Sequence, residues 1–368
     1  MPQKRIFAPR HTIRCKFRYF FTFYKVFVYL CLCINDCFFV HYGKNFKKIG
    51  KKRKMNYKVE IIIKGHILNP FWKSRLERRH RRGEVIRKAV CHALEPYNEF
   101  IRELRPNQME GSHDFPGNDV ENSGNPKGMG EKERIFSIWL QGEENAPEIA
   151  KACWKSARKN CPEPLVILDE KSIPEWIELP EHIIHKRKEG KIGHAHYTDI
   201  CRLALLVKYG GLWLDATDYI PAPLPAELWK RGFFVYTSGE VITGSYADIQ
   251  NCFIRAKKGN FLAKAWLELI YEYWRREDRA MDYFIHQLLF MMLVENNEAA
   301  AEEFRKMPKI DNDAAHELWF VHRDEPYSPE LWKEVTRKAM FQKTEYRSGS
   351  ANSPAPGTMA WHLIKSSH

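Results

Sequence analysis

The chain lacks a charge excess over most of its length. Residues 1–54 hold 14 Lys and Arg against one acid, Asp36, and this tail accounts for the whole formal net charge of +13. Residues 55–368 therefore sum to zero. A nucleic-acid-binding domain carries its basic excess on the folded part, so we expect no nucleic-acid partner.

The nine cysteines also lack the spacing of a metal site. Cys31 and Cys33 are too close for a C-x2-C pair, and no later cysteines take such a spacing. Cys201 falls in a predicted helix, where a free thiol behaves as a small apolar side chain. This usage favours a reduced, cytoplasmic setting, in the cytosol or at the inner face of the cytoplasmic membrane.

An apolar run long enough to span a bilayer is missing from the basic tail. Tyr19–Ile34 is aromatic and apolar, but it is shorter than the roughly 20 residues required and contains Lys25. No small-residue cleavage pattern follows it. Three interpretations stay open: an untranslated stretch with Met55 as the real start, a membrane-surface or signal-anchor segment, and a disordered basic arm.

The rest of the chain divides by composition. Residues 55–105 have the apolar spacing of amphipathic helices, and their cluster Arg75–Arg82 is either a solvated helix face or a contact for anionic lipid. Residues 106–130 are rich in Gly, Pro, Asn and Ser, which predicts a flexible linker. We expect one catalytic domain over residues 131–368.

Strand-like and helix-like segments alternate in this domain. The predicted strands are Ile135–Leu140, Leu165–Leu168, Phe233–Thr237 and Cys252–Arg255, and the predicted helices include one with Pro147 in its first turn, Phe261–Trp274 and Tyr283–Val294. The alternation predicts an α/β fold, with a mixed but largely parallel sheet of Rossmann type and helices on both faces.

The segment from Tyr197 to Asp218, YTDICRLALLVKYGGLWLDATD, is the most informative. Its apolar residues recur with helical spacing, which places Asp199 and Arg202 on neighbouring faces of one helix. Gly210 and Gly211 end that helix, and a short apolar strand then delivers Asp215 at its carboxyl end. Ligands of open α/β sheets bind beyond such strand ends.

These residues resemble the DXD region of retaining glycosyltransferases with a GT-A fold, especially the capsular polysaccharide synthesis proteins related to Och-type mannosyltransferases and clostridial glucosylating toxins. Four further stretches strengthen the resemblance: IWLQGEENAPEI (138–149), GHAHYTDI (193–200), NCFIRAKKGN (251–260) and DYFIHQLLF (282–290). The resemblance implies a GT-A-like domain, a nucleotide-sugar donor and retention of anomeric configuration. It also implies that the departing phosphate oxygen takes the acceptor proton.

A Mn²⁺ or Mg²⁺ ion is the expected cofactor, because a cation bridging the diphosphate stabilises the leaving group and requires oxygen ligands. The resemblance implies that Asp215 contacts the donor or the metal. Thr217 stands where the family usually has a second metal-binding acid, so this site has one less charge unless Asp218 turns inward. Along an extended strand Asp218 would point away from Asp215. Asp218 is therefore either a metal ligand that turns inward or an acid that stabilises a turn.

The remaining candidates depend more heavily on the resemblance. Asp199 and Arg202 correspond to residues that hold the donor sugar and its phosphate side; alone, they could equally be a surface ion pair. The list of donor-binding candidates is completed by Trp139, Gln141, Asn251 and Asp282, and the late His362 is a candidate metal ligand. His194 and His196 are weaker metal candidates, and we expect them to cap the following helix.

We therefore expect a glycosyltransferase that moves a sugar to a capsular or other surface polysaccharide, or to a lipid-linked precursor. Asp199, Arg202 and Asp215 are the expected catalytic residues. The alternative is a non-catalytic module of the same fold that binds nucleotide sugars or glycans. A phosphoryl-transfer hydrolase is disfavoured, because such a site needs a second acid where Thr217 stands. The sequence does not indicate the donor, the acceptor or the linkage.

Overall fold

The computed structural model describes residues 83–106, 133–240 and 246–365. The predicted basic tail, residues 55–82 and nearly all of the predicted linker lie outside this part. The helices are α1 (83–93), α2 (Asn98–Glu103), α3 (Glu148–Asn160), α4 (Ile173–Trp176), α5 (Glu181–Lys188), α6 (His194–Tyr209), α7 (Ala226–Lys230), α8 (Phe261–Arg276), α9 (Ile285–Asn296), α10 (Glu298–Lys306), α11 (Asp313–His322), α12 (Pro329–Thr336), α13 (Gly349–Asn352) and α14 (Met359–Lys365). The strands are β1 (Ile135–Ile138), β2 (Leu165–Leu168), β3 (Gly211–Leu214), β4 (Asp218–Tyr219), β5 (Phe233–Thr237), β6 (Ile249–Ala256) and β7 (Gln342–Lys343).

The main sheet has five strands in the order β2-β1-β3-β6-β5. Strands β2, β1 and β3 are parallel, whereas β6 runs antiparallel to both β3 and β5. Four strands therefore share one direction and β6 opposes them. The prediction of a mixed but largely parallel sheet is confirmed.

Two successive residues of β1 show that helices cover both faces. Phe136 packs against Tyr209 of α6, with ring centroids 5.9 Å apart. The next side chain, Ser137, accepts a 2.9 Å hydrogen bond from Nε1 of Trp154 in α3. Since neighbouring side chains of a strand point to opposite faces, α6 and α3 flank the sheet on opposite sides.

The predicted helix and strand around Asp215 form as α6 and β3. Gly210 and Gly211 join them with φ of 68° and 108°. A Cβ atom on Gly211 would collide with the carbonyl oxygen of Arg134 in the neighbouring chain segment. Glycine is therefore required here both for the left-handed backbone and for the close approach of the two segments.

Several boundaries differ from the predictions. Pro147 is the N-cap of α3 and precedes its first turn. Helix α6 begins at His194 after the N-cap Gly193, so the expectation that His194 and His196 cap this helix is wrong. Strand β6 also extends beyond the predicted Cys252–Arg255, because Ile249 and Ala256 on either side pair with Thr237 and Phe233 of β5.

The end of the helical extension packs into the main core. Val90, Leu94 and Ile101 are buried as their spacing indicated, but Val85 is 68% exposed. Asn297 Nδ2 donates to the backbone oxygens of Ile101 and Leu104 at 2.8 and 2.9 Å, which ties α2 to the helices of the domain. Within the described ranges, no helix has both the length and the apolar content needed to cross a membrane.

A second, two-stranded sheet lies beyond the end of β3. Strand β4 pairs antiparallel with β7, so that Asp218 stands opposite Lys343 and Tyr219 opposite Gln342. Helix α11 packs on β7, and α14 packs on both α3 and α11. These C-terminal helices form a separate buried apolar cluster that supports the small sheet.

Candidate functional site

Helix α6 places Asp199 and Arg202 one turn apart, and both side chains are buried. Arg202 Nη2 lies 2.7 Å from Asp199 Oδ1. Asn251 of β6 donates from Nδ2 to the same carboxylate oxygen at 3.1 Å, and its backbone oxygen accepts a hydrogen bond from Arg202 Nη1. The helix and the strand therefore present one connected polar group.

His286 of α9 completes the surroundings of Asp199. The imidazole is fully buried, and its Nε2 lies 3.0 Å from Nε1 of Trp274. An indole nitrogen only donates, so Nε2 of His286 must be the acceptor and the proton is assigned to Nδ1. Nδ1 lies 3.2 Å from Asp199 Oδ2. Burial, the leading cause, lowers the pKa of His286 despite Asp199, which agrees with this neutral form.

Strand β3 carries Asp215 to the same group. Trp213 Nε1 donates to Asp215 Oδ1 at 2.9 Å, and Arg202 Nη2 lies 3.3 Å from that oxygen. The Arg202 guanidinium also lies over the Trp213 ring, 4.9 Å from its centroid. Arg202 and Asp215 therefore face one another directly at the carboxyl end of β3.

A turn after β3 brings Asp218 back toward Asp215. The amide of Asp218 donates to the Asp215 carbonyl at 3.0 Å, and the amide of Asp215 donates to Asp218 Oδ2 at 3.3 Å. Asp218 is 1% exposed. Thr217, which lies between the two acids in the sequence, is also buried. Its carbonyl oxygen accepts hydrogen bonds from the amide and the hydroxyl of Thr344. The turn thus breaks the strand alternation that would have separated the two acids.

Lys343 of β7 lies between the two carboxylates. Its Nζ is 2.7 Å from Asp215 Oδ2 and 3.0 Å from Asp218 Oδ1. The Lys343 side chain is 17% exposed and that of Asp215 is 26% exposed, so this acid pair with its lysine opens to solvent on the Asp215 side. No sequence signal pointed to Lys343, which is distant in the chain and outside every recognised stretch.

The charges in this cluster shift one another's protonation. Burial opposes the ionisation of Asp215, but Lys343 and Arg202 outweigh it and lower its pKa. Burial raises the pKa of Asp218 to about 7; Lys343 opposes this shift and Asp215 adds to it. Burial would lower the pKa of Lys343, yet the two carboxylates prevail and raise it. Asp215 and Lys343 are therefore charged at neutral pH, whereas Asp218 can gain or lose a proton there.

The residues predicted to bind a metal do not form a metal site in this arrangement. Asp215 and Asp218 are together, but the Lys343 ammonium occupies the space between their oxygens. His362 stacks on Tyr327 with ring centroids 3.6 Å apart, in the aromatic cluster of α12 and α14. The described residues contain no group of three or more His, Cys, Asp or Glu side chains that could hold a metal ion. Metal assistance stays a prediction.

Aromatic residues lie near the acid cluster of Asp199, Arg202, Asp215, Asp218 and Lys343, and Trp139 packs in one apolar group with Ala216, the residue after Asp215. This neighbouring region is called the rim of the cluster. Trp139, which follows β1, meets Tyr346 edge to face at 5.3 Å. Its Nε1 is buried without a hydrogen-bond partner among the described residues. Arg347 Nη2 donates to the Tyr346 hydroxyl at 3.2 Å. Tyr283 is 67% exposed and lies close enough to Asp199, Asp215 and Arg347 for their charges to act on it.

The other predicted residues lie at varying places. Gln141 is exposed, and its carbonyl oxygen accepts from Asn145 at 2.7 Å. Asp282 accepts from the Tyr246 hydroxyl at 2.7 Å and from the amide of Phe284 at 2.7 Å, so it orders the turn before α9. His196 lies beside His286, with ring centroids 5.2 Å apart. Among the donor-binding candidates other than Asp199, Arg202 and Asp215, Asn251 is in direct contact with those three residues' group, through Asp199 and Arg202.

Sequence reasoning missed Lys343, His286, Tyr346 and Arg347. His286 lies inside the stretch DYFIHQLLF, where a histidine within an apolar helical run does not by itself indicate a functional site. The segment following β7 offered no motif. Lys343, within β7, reaches the site through the pairing of β7 with β4, and Tyr346 and Arg347 follow it closely in the chain.

Two known proteins are similar to parts of this chain. A curated relative, the O-glycosyltransferase braB of Annulohypoxylon truncatum, is 29% identical over 122 residues, which cover 30% of this chain and 28% of that protein. The chain thus spans less than a third of that relative's length. A solved structure, the PaToxG glycosyltransferase, is 15% identical and covers 61% of this chain and 83% of its own, with a TM-score of 0.31.

The family described as capsular polysaccharide synthesis protein matches residues 113–362. This span is more than half of the chain and includes every residue of the acid cluster and its rim. The chain belongs to the capsular polysaccharide synthesis protein family.

Proposed function

We propose that this protein is a glycosyltransferase that moves a sugar from a nucleotide-sugar donor to a glycan acceptor. The observation that most directly supports this proposal is the contact of Arg202 with both Asp199 and Asp215 at the end of β3. Family membership supports the same reaction class. The two carboxylates and the backbone of Asn251 hold this guanidinium in place, so its positive charge is fixed beside Asp215, whose more exposed carboxylate can accept hydrogen bonds from sugar hydroxyls.

The reaction breaks the bond between the sugar C1 and the diphosphate oxygen, whose electron pair leaves with the diphosphate. The acceptor hydroxyl oxygen forms the new bond to C1. Its proton passes to the departing phosphate oxygen, so no side chain is required as a strong base. Anions build up on one side of the site and a cationic sugar carbon on the other, which suits a cluster holding both signs of charge.

Several finer features belong to this proposal. Retention of configuration follows from the resemblance of the Tyr197–Asp218 segment to retaining enzymes. Trp139 and Tyr346 would offer flat faces to the nucleotide base. The acceptor would be a capsular or other surface polysaccharide or a lipid-linked precursor, met in the cytoplasm or at the inner face of the cytoplasmic membrane.

The experiment is a screen of nucleotide sugars for release of free nucleotide, each tested with Mn²⁺, with Mg²⁺ and with a chelator. We expect wild type to hydrolyse at least one donor. Asp215→Asn should lose about 100-fold or more in turnover, by analogy with removal of one charge-stabilising group, and should remain folded by circular dichroism. Asp278→Asn is the matched control, because its acid is 61% exposed in a surface ion pair.

The outcomes separate the alternatives. Thermal stabilisation by a nucleotide sugar without any nucleotide release would favour the non-catalytic binding module. Equal turnover in wild type and Asp215→Asn would refute the role of the cluster. Turnover that requires Mn²⁺ or Mg²⁺ would support metal assistance.

A further inference from the structure

The contacts of Lys343 are those of a bound cation. Its Nζ touches one oxygen from each of Asp215 and Asp218, the two acids of the expected metal set. An ammonium has three N–H donors, and among the described residues these two carboxylates are its acceptors, so one donor is left for a further oxygen. The solvent-facing side of the pair is where a ligand could supply it.

The small sheet fixes this lysine in place. Asp218 and Lys343 are directly opposite in the antiparallel pairing of β4 with β7, a position in which side chains of two strands touch. The backbone of the next residue is also tied down, since Thr344 donates from its amide and its hydroxyl to the carbonyl oxygen of Thr217. The ammonium is therefore preorganised and needs no rearrangement to meet an anion.

The surrounding charges suit a diphosphate. Arg202 and Lys343 both contact Asp215, one at each carboxylate oxygen, so two cations flank the most exposed acid of the cluster. Arg202 Nε is buried and has no partner among the residues described. Arg347 adds a third positive group at the rim. Its charge acts on Tyr283, as do the charges of Asp199 and Asp215.

We propose that the Lys343 ammonium is the catalytic cation that receives the donor's diphosphate, in the position where a divalent metal would otherwise be held by Asp215 and Asp218. This inference rests on the proposed glycosyltransferase function. In the reaction, Lys343 would donate a hydrogen bond to the leaving diphosphate oxygens as the C1–O bond breaks. The two acids would then serve to orient Lys343.

The first test measures metal binding without turnover, using Mn²⁺ alone. Free Mn²⁺ is titrated by electron paramagnetic resonance against wild type, Lys343→Met, Lys343→Arg and Lys338→Met. Lys338 is the matched control, because it is also 17% exposed and holds Glu317 at 2.7 and 3.0 Å. We expect Lys343→Met to bind Mn²⁺ at least about tenfold more tightly than the other three, since it removes the ammonium from between two carboxylate oxygens. Binding by wild type as tight as that of Lys343→Met would overturn the inference.

The second test measures nucleotide release from the donor found by the screen, with chelator and with Mn²⁺. We expect wild type to keep its rate in chelator within about twofold, Lys343→Met to lose about 100-fold, and Lys343→Arg to retain more activity than Lys343→Met. Loss of wild-type activity on chelation, restored by Mn²⁺, would overturn the inference and leave the glycosyltransferase proposal standing. If wild type releases no nucleotide from any donor but the Mn²⁺ titration gives the expected order, the proposed function fails while the assignment of Lys343 as the site's built-in cation stands.

Discussion

Arg202→Met removes the cation that joins Asp199 to Asp215, and its effect on stability can be worked from the structure. The guanidinium is 6% exposed and contacts both carboxylates, the backbone oxygen of Asn251 and the face of Trp213. Methionine preserves much of the side-chain volume but none of these polar contacts. Buried Asp199 and half-buried Asp215 would then be left with fewer partners.

Removing one partner of a buried ion pair costs about 3–5 kcal/mol, because the remaining charge is uncompensated. We expect Arg202→Met to lower the free energy of unfolding by this amount. Part of the loss should return in the double variant Arg202→Met with Asp199→Asn, since one of the unpaired charges is then gone. The matched control is Arg158→Met: Arg158 forms a two-point contact with Glu143 at 2.7 and 2.9 Å on the surface and should cost under about 1 kcal/mol.

Urea unfolding, followed by far-ultraviolet circular dichroism, measures these differences as shifts in midpoint at constant slope. The reasoning is refuted if Arg202→Met falls within about 1 kcal/mol of wild type, or if it matches Arg158→Met. A double variant less stable than Arg202→Met alone would show that Asp199 is not left as an uncompensated charge.

Two further expectations concern parts of the fold away from the cluster. Gly211→Ala should lower the free energy of unfolding by about 3 kcal/mol or more, because a Cβ atom there adds a collision to the backbone strain. The control Gly259→Ala, with φ of 68° and no atom within 4 Å of the added Cβ, should cost only about 1–2 kcal/mol. Equal costs of the two variants in thermal unfolding would contradict the collision. Burial would lower the pKa of His322, but Glu317 and Glu325 outweigh it and raise the pKa to about 9. The resulting stabilisation should be fully present below pH 6.5, fall as the pH rises through 9, and be absent from the unfolding profile of His322→Gln; an unchanged profile in that variant would contradict it.

Local patterns predicted the central part of the fold well. Apolar spacing located α6 and β3, the glycine pair marked their junction, and helical geometry alone placed Asp199 beside Arg202. The short apolar strand placed Asp215 at its carboxyl end, beyond which ligands of open α/β sheets bind. Each of these inferences depends on residues close together in the chain.

The remaining features depend on pairing between distant segments, which local patterns do not contain. Lys343 reaches Asp218 through the register of a two-residue strand pair 125 residues apart in sequence. The inward direction of Asp218 is set by a turn that breaks strand alternation. His362, by contrast, stacks on aromatic rings, because its helix packs on α3 and α11.

The pairing of β4 with β7 has a consequence for the order in which the protein is completed. Asp215 and Asp218 leave the ribosome long before Lys343, so until β7 is made Asp215 has its contact with Arg202 while Asp218 still lacks its contact with Lys343. Their charge is balanced when the last strand arrives. Synthesis of the C-terminal segment therefore completes the charge balance of the two carboxylates at a late stage.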